Sequence, residues 1–447
     1  MWYKGLLNGA VAQLGARLNG IQKVEGSIPF SSIFFFMRKI FLILICTAFA
    51  FRFLGDARTI SIDELKKQVV VTGKLPFKAD LPVKYLNQRQ LKRYIESIVN
   101  REYPGEQAQK ESWFLHLMGF TKRQIDLKRL RTEILTENAG GLYNEKTGEL
   151  LVLEAFLDMN MINALIVVHE LRHAIQDQQV GLDRVLGNFS DFDDRKLAVL
   201  AAVEGDASFV MAKFSREFSG IPLDPDLLTS YHSDALMSFS PLAATGLLRR
   251  SPDIIKFQLM MPYIEGLKFT AAVYDRKKWK GVNRVLTAPP LSSEQVLHPE
   301  KYFKNERPIK VTIIYKPEGY RLVHAGVLGE YYLNILLKQD DQYVDFAAGW
   351  GGDGFALYRD GDNYFLLWES SWDLEKYGSH FFYVFKKFLE RQFKVNFREG
   401  EVKGFAFLAG RSRFGYFFLW RRGNEIFYAR SNDRIQMNKF ISGGLYD

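Results

Sequence analysis

The chain has 447 residues, 47% of them hydrophobic and 25% charged, ordinary values for a globular protein of two or three domains. Of the formal net charge of +9, residues 1–57 supply +4 (six Lys/Arg against two Asp/Glu); the remainder holds no Lys/Arg run that would track phosphates, which argues against nucleic-acid binding. Cys46 is the only cysteine and lies in an apolar leader, so a processed chain has no disulfide, thiolate ligand or cysteine nucleophile, and any metal site must use His, Asp and Glu.

Residues 37–57, MRKIFLILICTAFAFRFLGDA, read as a signal peptide. Arg38 and Lys39 precede an apolar run, Ile40 to Phe51, that is short for a membrane span, and small residues follow at cleavage spacing, Ala48/Ala50 or Gly55/Ala57. An uncleaved anchor is the competing reading; a lipoprotein fits poorly because large Ile45 precedes Cys46. The upstream stretch VAQLGARLNGIQKVEGSIPFSS resembles the spurious peptide made when a tRNA gene is read in frame with the next gene, so Met37 is the expected start and residues 1–36 an extension without structural meaning. The protein is thus expected to be exported, touching membrane only through this segment.

The extended stretch LPFKADLPVKYL is followed by expected helices near Gln88–Glu102, Gln107–Leu117 and Arg123–Thr136. GGLYNEKTGELLVLE (140–154) reads as a hairpin. Asp158 or Asn160 can cap a helix running to about Gln178, apolar nearly all round over MINALIVV and hence buried. Ser190 with Asp193 is a plausible capping box for a helix over 191–218. A domain boundary is expected near 308, where strand-like runs begin: 311–315, 355–359, 364–368, 405–410, 414–421 and 425–430, with helices near 326–338 and 373–393. Trp350, Trp368, Trp372 and Trp420 read as core rather than as a ligand platform.

The chemistry concentrates in His169-Glu170-Leu171-Arg172-His173, an HExxH pattern. Residues four apart on a helix share a face, so His169 and His173 can grip one Zn²⁺, with Glu170 as general base. A third ligand is needed. A continuation HxxGxxH is excluded, because Gln176 and Gln179 stand where it requires Gly and His. Glu204, in AVLAAVEGDASFVM, lies on the apolar stripe with Leu200, Ala201, Ser208 and Met211, where a carboxylate needs a partner. Asp206 points about 200° away and is the competing ligand, otherwise an orienting or surface group. Small Ala201, Ala202, Gly205 and Ala207 would let this helix approach the HExxH helix. Asp177 could orient a ligand or be a solvated acid.

HExxH followed by EGDA resembles the gluzincin zinc metallopeptidases. With LSSEQVLHPEKYF and AAGWGGDGFALYR, most of the mature chain resembles a little-characterised group of exported bacterial metallopeptidases. The resemblance implies an α+β fold: a zincin-like domain over 58–308, with a small sheet on the HExxH helix and a helical half bringing Glu204, then a smaller α+β domain over 309–447. It implies hydrolysis of a peptide or protein held along an edge strand, for which 148–154 is the expected segment. Ser208 departs from the family, which usually has an acid four residues after the Glu ligand. His298 is the expected oxyanion donor, with His232 second. Hydrolysis of a non-peptide or cell-wall bond, or an idle envelope binder with a structural metal, are the alternatives; an intact Glu170 speaks against the latter.

Overall fold

The computed structural model describes residues 60–443, except 139–140, 158, 187–192, 221, 231–245, 339–346 and 403–404. Residues 1–57, Asp158, Ser190 and His232 therefore lie outside the described residues. Among those described, no helix is long and apolar enough to cross a membrane.

The fold is α+β. Helix α1 (Ile62–Gly73) leads into β1 (Val83–Leu86), then α2 (Gln88–Glu102), α3 (Gly105–Met118) and α4 (Leu127–Asn138). Asn87 and Gln90 form a reciprocal capping box that starts α2 where the polar-apolar pattern begins. Strands β2 (Gly141–Asn144) and β3 (Glu149–Leu153) form the expected hairpin, and β1 adds parallel to β3. The sheet order is β1-β3-β2. The 148–154 segment is thus the central strand, paired on both sides, and has no free edge for a substrate; β2 has one.

Helix α5 (Met161–Val180) carries HExxH and packs on this small sheet and on α1. Its cap is Asn160, whose side chain accepts from the Asn163 N–H. Helix α6 (Asp194–Phe218) carries Glu204; Asp193 itself caps it, accepting from Arg195 and Lys196 N–H groups. Helix α7 (Asp253–Val285) crosses α6 so tightly that an added Cβ at Gly205 would sit 2.2 Å from the Gly266 carbonyl carbon, and one at Gly266 would sit 2.2 Å from the Ala201 oxygen. Ala201 and Gly205 therefore admit α7, a long helix the Pro-punctuated sequence of 220–300 did not reveal, rather than α5.

Gly266→Ala should accordingly destabilise the protein. An exposed helical Gly→Ala gains about 1 kcal/mol. Here the new methyl meets backbone that cannot swing aside, and overpacking of this kind costs about 1–3 kcal/mol or more. A lower melting temperature is expected; an unchanged or higher one refutes the close crossing.

After α8 (Ser293–Leu297) and α9 (Pro299–Lys304), a seven-stranded antiparallel sheet follows: β4 (Arg321–Gly326), β5 (Trp350–Asp360), β6 (Asn363–Trp372), β7 (Asn396–Val402), β8 (Phe405–Ser412), β9 (Gly415–Arg422) and β10 (Glu425–Ser431). Its order is β4-β5-β6-β10-β9-β8-β7, with α10 (Gly329–Leu337), α11 (Glu375–Phe393) and α12 (Arg434–Gly443) between and after the strands. Residues 311–315 form no strand. They pass against the Gly-rich start of β5, where an added Cβ at Gly354 would lie 3.1 Å from the Val311 oxygen. Their apolar character comes instead from Ile313 and Tyr315 packing beside Phe365 and Phe440. Trp350, Trp368 and Trp372 are fully buried. The indoles of Trp350 and Trp368 donate to Asp353, which also accepts from the Leu328 and Gly329 N–H groups. Residue 308 marks a change from helices to sheet, yet the core runs on across it: Phe114 of α3 stacks on Phe355 of β5, ring centroids 4.0 Å apart.

Candidate metal centre

His169 and His173 lie one turn apart on α5 and present their Nε2 atoms 3.0 Å from each other. Glu204, on α6, places Oε2 3.1 Å from His169 Nε2 and 3.3 Å from His173 Nε2. These three donor atoms lie close enough together that His169, His173 and Glu204 could hold one metal ion. Burial alone would pull the His173 pKa down, but the Glu204 carboxylate outweighs it and lifts the imidazole to about 9. Burial likewise pushes Glu204 up, yet the two imidazoles hold it far below the usual carboxylate range. Asp206 is not in the cluster.

Asp206 instead forms a bidentate pair with Arg172, at 2.8 and 3.0 Å, with both side chains almost wholly buried. It also accepts from Gln176 Nε2 at 2.8 Å, and Gln176 Oε1 lies 2.8 Å from His173 Nδ1. A relay thus runs from Arg172 through Asp206 and Gln176 to the ring of His173. The carboxylate of Asp206 reaches His173 through the amide of Gln176. In the sequence Gln176 shows only as a departure from HxxGxxH, whereas Arg172, an arginine inside an apolar helix, signals a buried partner.

Glu170 turns toward β2. Its Oε2 accepts from the Tyr143 N–H at 2.8 Å, and Gly141 is close enough that an added Cβ would lie 3.9 Å from Glu170 Cγ. The Tyr143 hydroxyl donates to Asp177 at 2.7 Å, so Asp177 anchors the strand to α5 rather than touching a ligand.

Tyr263, on α7 beside Pro262, stacks on His169 at 5.9 Å between ring centroids and lies close enough to Glu204 to feel its charge. Burial, then the charges of Glu204 and Glu170, keep its hydroxyl protonated well beyond the usual range. Sequence reasoning missed it; its only mark was a proline within a helix. His298 is not brought to this cluster. Its Nε2 lies 2.8 Å from buried Glu330 on α10, and its Nδ1 faces Glu300 at 3.8 Å.

A domain of unknown function (DUF8575) matches residues 320–436. That is about a quarter of the chain, the seven-stranded sheet with its helices, and contains none of the clustered histidines. No curated protein and no solved structure matches the chain.

Among the described residues a second group, Glu294, Glu306 and Asp373, also converges. Its centre is taken by Lys301, whose Nζ lies 2.6 Å from Glu294 and 2.8 Å from each of the others. An ammonium already neutralises these carboxylates, so this is an ion cluster tying α8 and α9 to the end of β6.

Proposed function

We propose that the chain is an exported, zinc-dependent metallopeptidase of zincin type. The observation that carries the reading is the convergence of His169, His173 and Glu204, with Glu170 on the same helix. A tetrahedral zinc with bonds of about 2.0–2.1 Å separates its ligand atoms by about 3.3 Å; the three donors lie 3.0–3.3 Å apart. One zinc per chain is expected.

Zinc would supply Lewis acidity toward a carbonyl and acidify water. The remaining work falls to side chains. Glu170 accepts a proton from the attacking water and returns it to the leaving amine. Tyr263, kept protonated beside Glu204, donates to the developing oxyanion, the role the sequence had suggested for His298. A peptide lies extended along the free edge of β2, whose Tyr143 N–H reaches Glu170. Export rests on residues 37–57 and is tested by sequencing the N-terminus of the secreted protein.

Purified wild-type protein should contain about one zinc. His169→Ala, His173→Ala and Glu204→Ala should each lose tight binding, measured by competition with a chromogenic chelator. Stoichiometric zinc in the His169→Ala/His173→Ala double variant would exclude this site.

A further inference from the structure

The end of α7 borders a cleft of about 900 Å³ that the proposed hydrolysis does not use. Five cationic residues line it: Arg195 from α6, Lys277, Lys280 and Arg284 from α7, and Arg307 beyond α9. Among the described residues lining it there is no carboxylate. None of the five makes an ion pair with a described residue, whereas Lys66, Lys84, Lys110, Lys213, Lys256 and Lys439 all do. Asp193 and Asp194 act on Arg195 from its own helix without pairing with it, and Glu306, beside Arg307 in sequence, is engaged by Lys301.

Isolated surface lysines are ordinary, and four of these five side chains are exposed. Three features set this cleft apart. The charges come from separate segments and converge on one concavity, so they repel one another without an anion between them. Arg195, half-buried, is held by the Pro289 and Pro290 carbonyls, which fixes its guanidinium. And the wall is built on distorted backbone: Lys278 has φ 50° and ψ −158° inside α7, a costly conformation for a residue with a Cβ. That kink folds Lys277 against Gly281, where an added Cβ would lie 2.3 Å from the Lys277 Cβ. Tyr302, Phe303 and Leu291 add an apolar side to the cleft.

We infer that this cleft binds a diphosphate group borne by an organic ligand. Guanidinium groups pair with phosphate oxygens two at a time, ammonium groups add charge, and a diphosphate matches several cations where a single carboxylate would match one or two. The apolar side accepts the organic body. The same headgroup chemistry occurs on soluble diphosphate esters and on prenyl diphosphates embedded in membranes.

The test is calorimetric titration of the full mature chain with inorganic pyrophosphate, alongside flotation with phosphatidylcholine vesicles carrying a prenyl diphosphate. Lys280→Glu/Arg284→Glu should weaken pyrophosphate binding about tenfold or more, since two charged contacts are lost. Lys92→Glu/Arg93→Glu, an equal charge change on exposed residues of α2, should leave binding unchanged. Both doubles should keep the wild-type melting temperature, because all four side chains are exposed. Flotation lost only in the cleft double assigns a membrane ligand; pyrophosphate binding without flotation assigns a soluble one. No pyrophosphate binding, equal weakening in both doubles, or full competition by sulfate at matched ionic strength overturns the inference.

Discussion

Glu170→Gln should retain one zinc per chain while hydrolysis falls by about two to four orders of magnitude. The substitution is nearly isosteric, and the amide oxygen can still accept the Tyr143 N–H that holds the side chain against β2. His169, His173 and Glu204 are untouched, so metal content should not move. What disappears is a group able to take a proton. The measurement pairs zinc analysis with turnover of a peptide selected from a library by the wild-type protein. Near-normal turnover would remove Glu170 from the mechanism and leave a metal with only a structural task.

Asp206→Ala should unfold the protein far more readily than Glu204→Ala when both are measured without metal. Removing Asp206 strands the Arg172 guanidinium, which is fully buried and left with the Gly73 carbonyl and the Asn283 side chain. Breaking one side of a buried pair costs about 3–5 kcal/mol. Glu204 is paired with His173, but an imidazole, unlike a guanidinium, can shed its proton when the carboxylate is gone, so the loss of Glu204 should appear chiefly in metal affinity. The double variant Arg172→Met/Asp206→Leu separates the two effects: stability should largely return, because the unpaired charge is gone. Gln176 would still lack one of its acceptors, so zinc affinity should remain about 10–100-fold down. If metal-free Asp206→Ala melts with the wild type, the buried pair does not support the fold as described.

Much of this arrangement could be read from residue spacing. His169 and His173 share a helix face because four residues make about one turn, and Glu204 stood out as a carboxylate on an apolar stripe. Helix α2 and the hairpin of β2 and β3 followed from local capping and turn chemistry, which acts over a few residues. What spacing could not supply was anything requiring a third element. That β3 is central depends on β1 pairing from more than sixty residues away. That Ala201 and Gly205 serve α7, that Tyr263 meets Glu204, and that His298 turns to Glu330 all depend on how separate helices cross. The basic cleft was hidden for the same reason, since its charges are scattered along the chain and gather only in space.

The crossing at Gly205 and Gly266 has a bearing on how this protein can change over evolutionary time. Most core contacts are cushioned by side chains, and lineages drift by trading volume between neighbours. Here main chain meets main chain, so the gap between α6 and α7 is set by atomic radii and offers nothing to trade. Glu204 rides next to one glycine and Tyr263 three residues before the other. Descendants that keep both partners in register are therefore expected to hold these two glycines fixed while the surrounding apolar residues turn over freely. A lineage that loses either glycine must move α7 outward, and it takes Tyr263 away from the histidines as it does so.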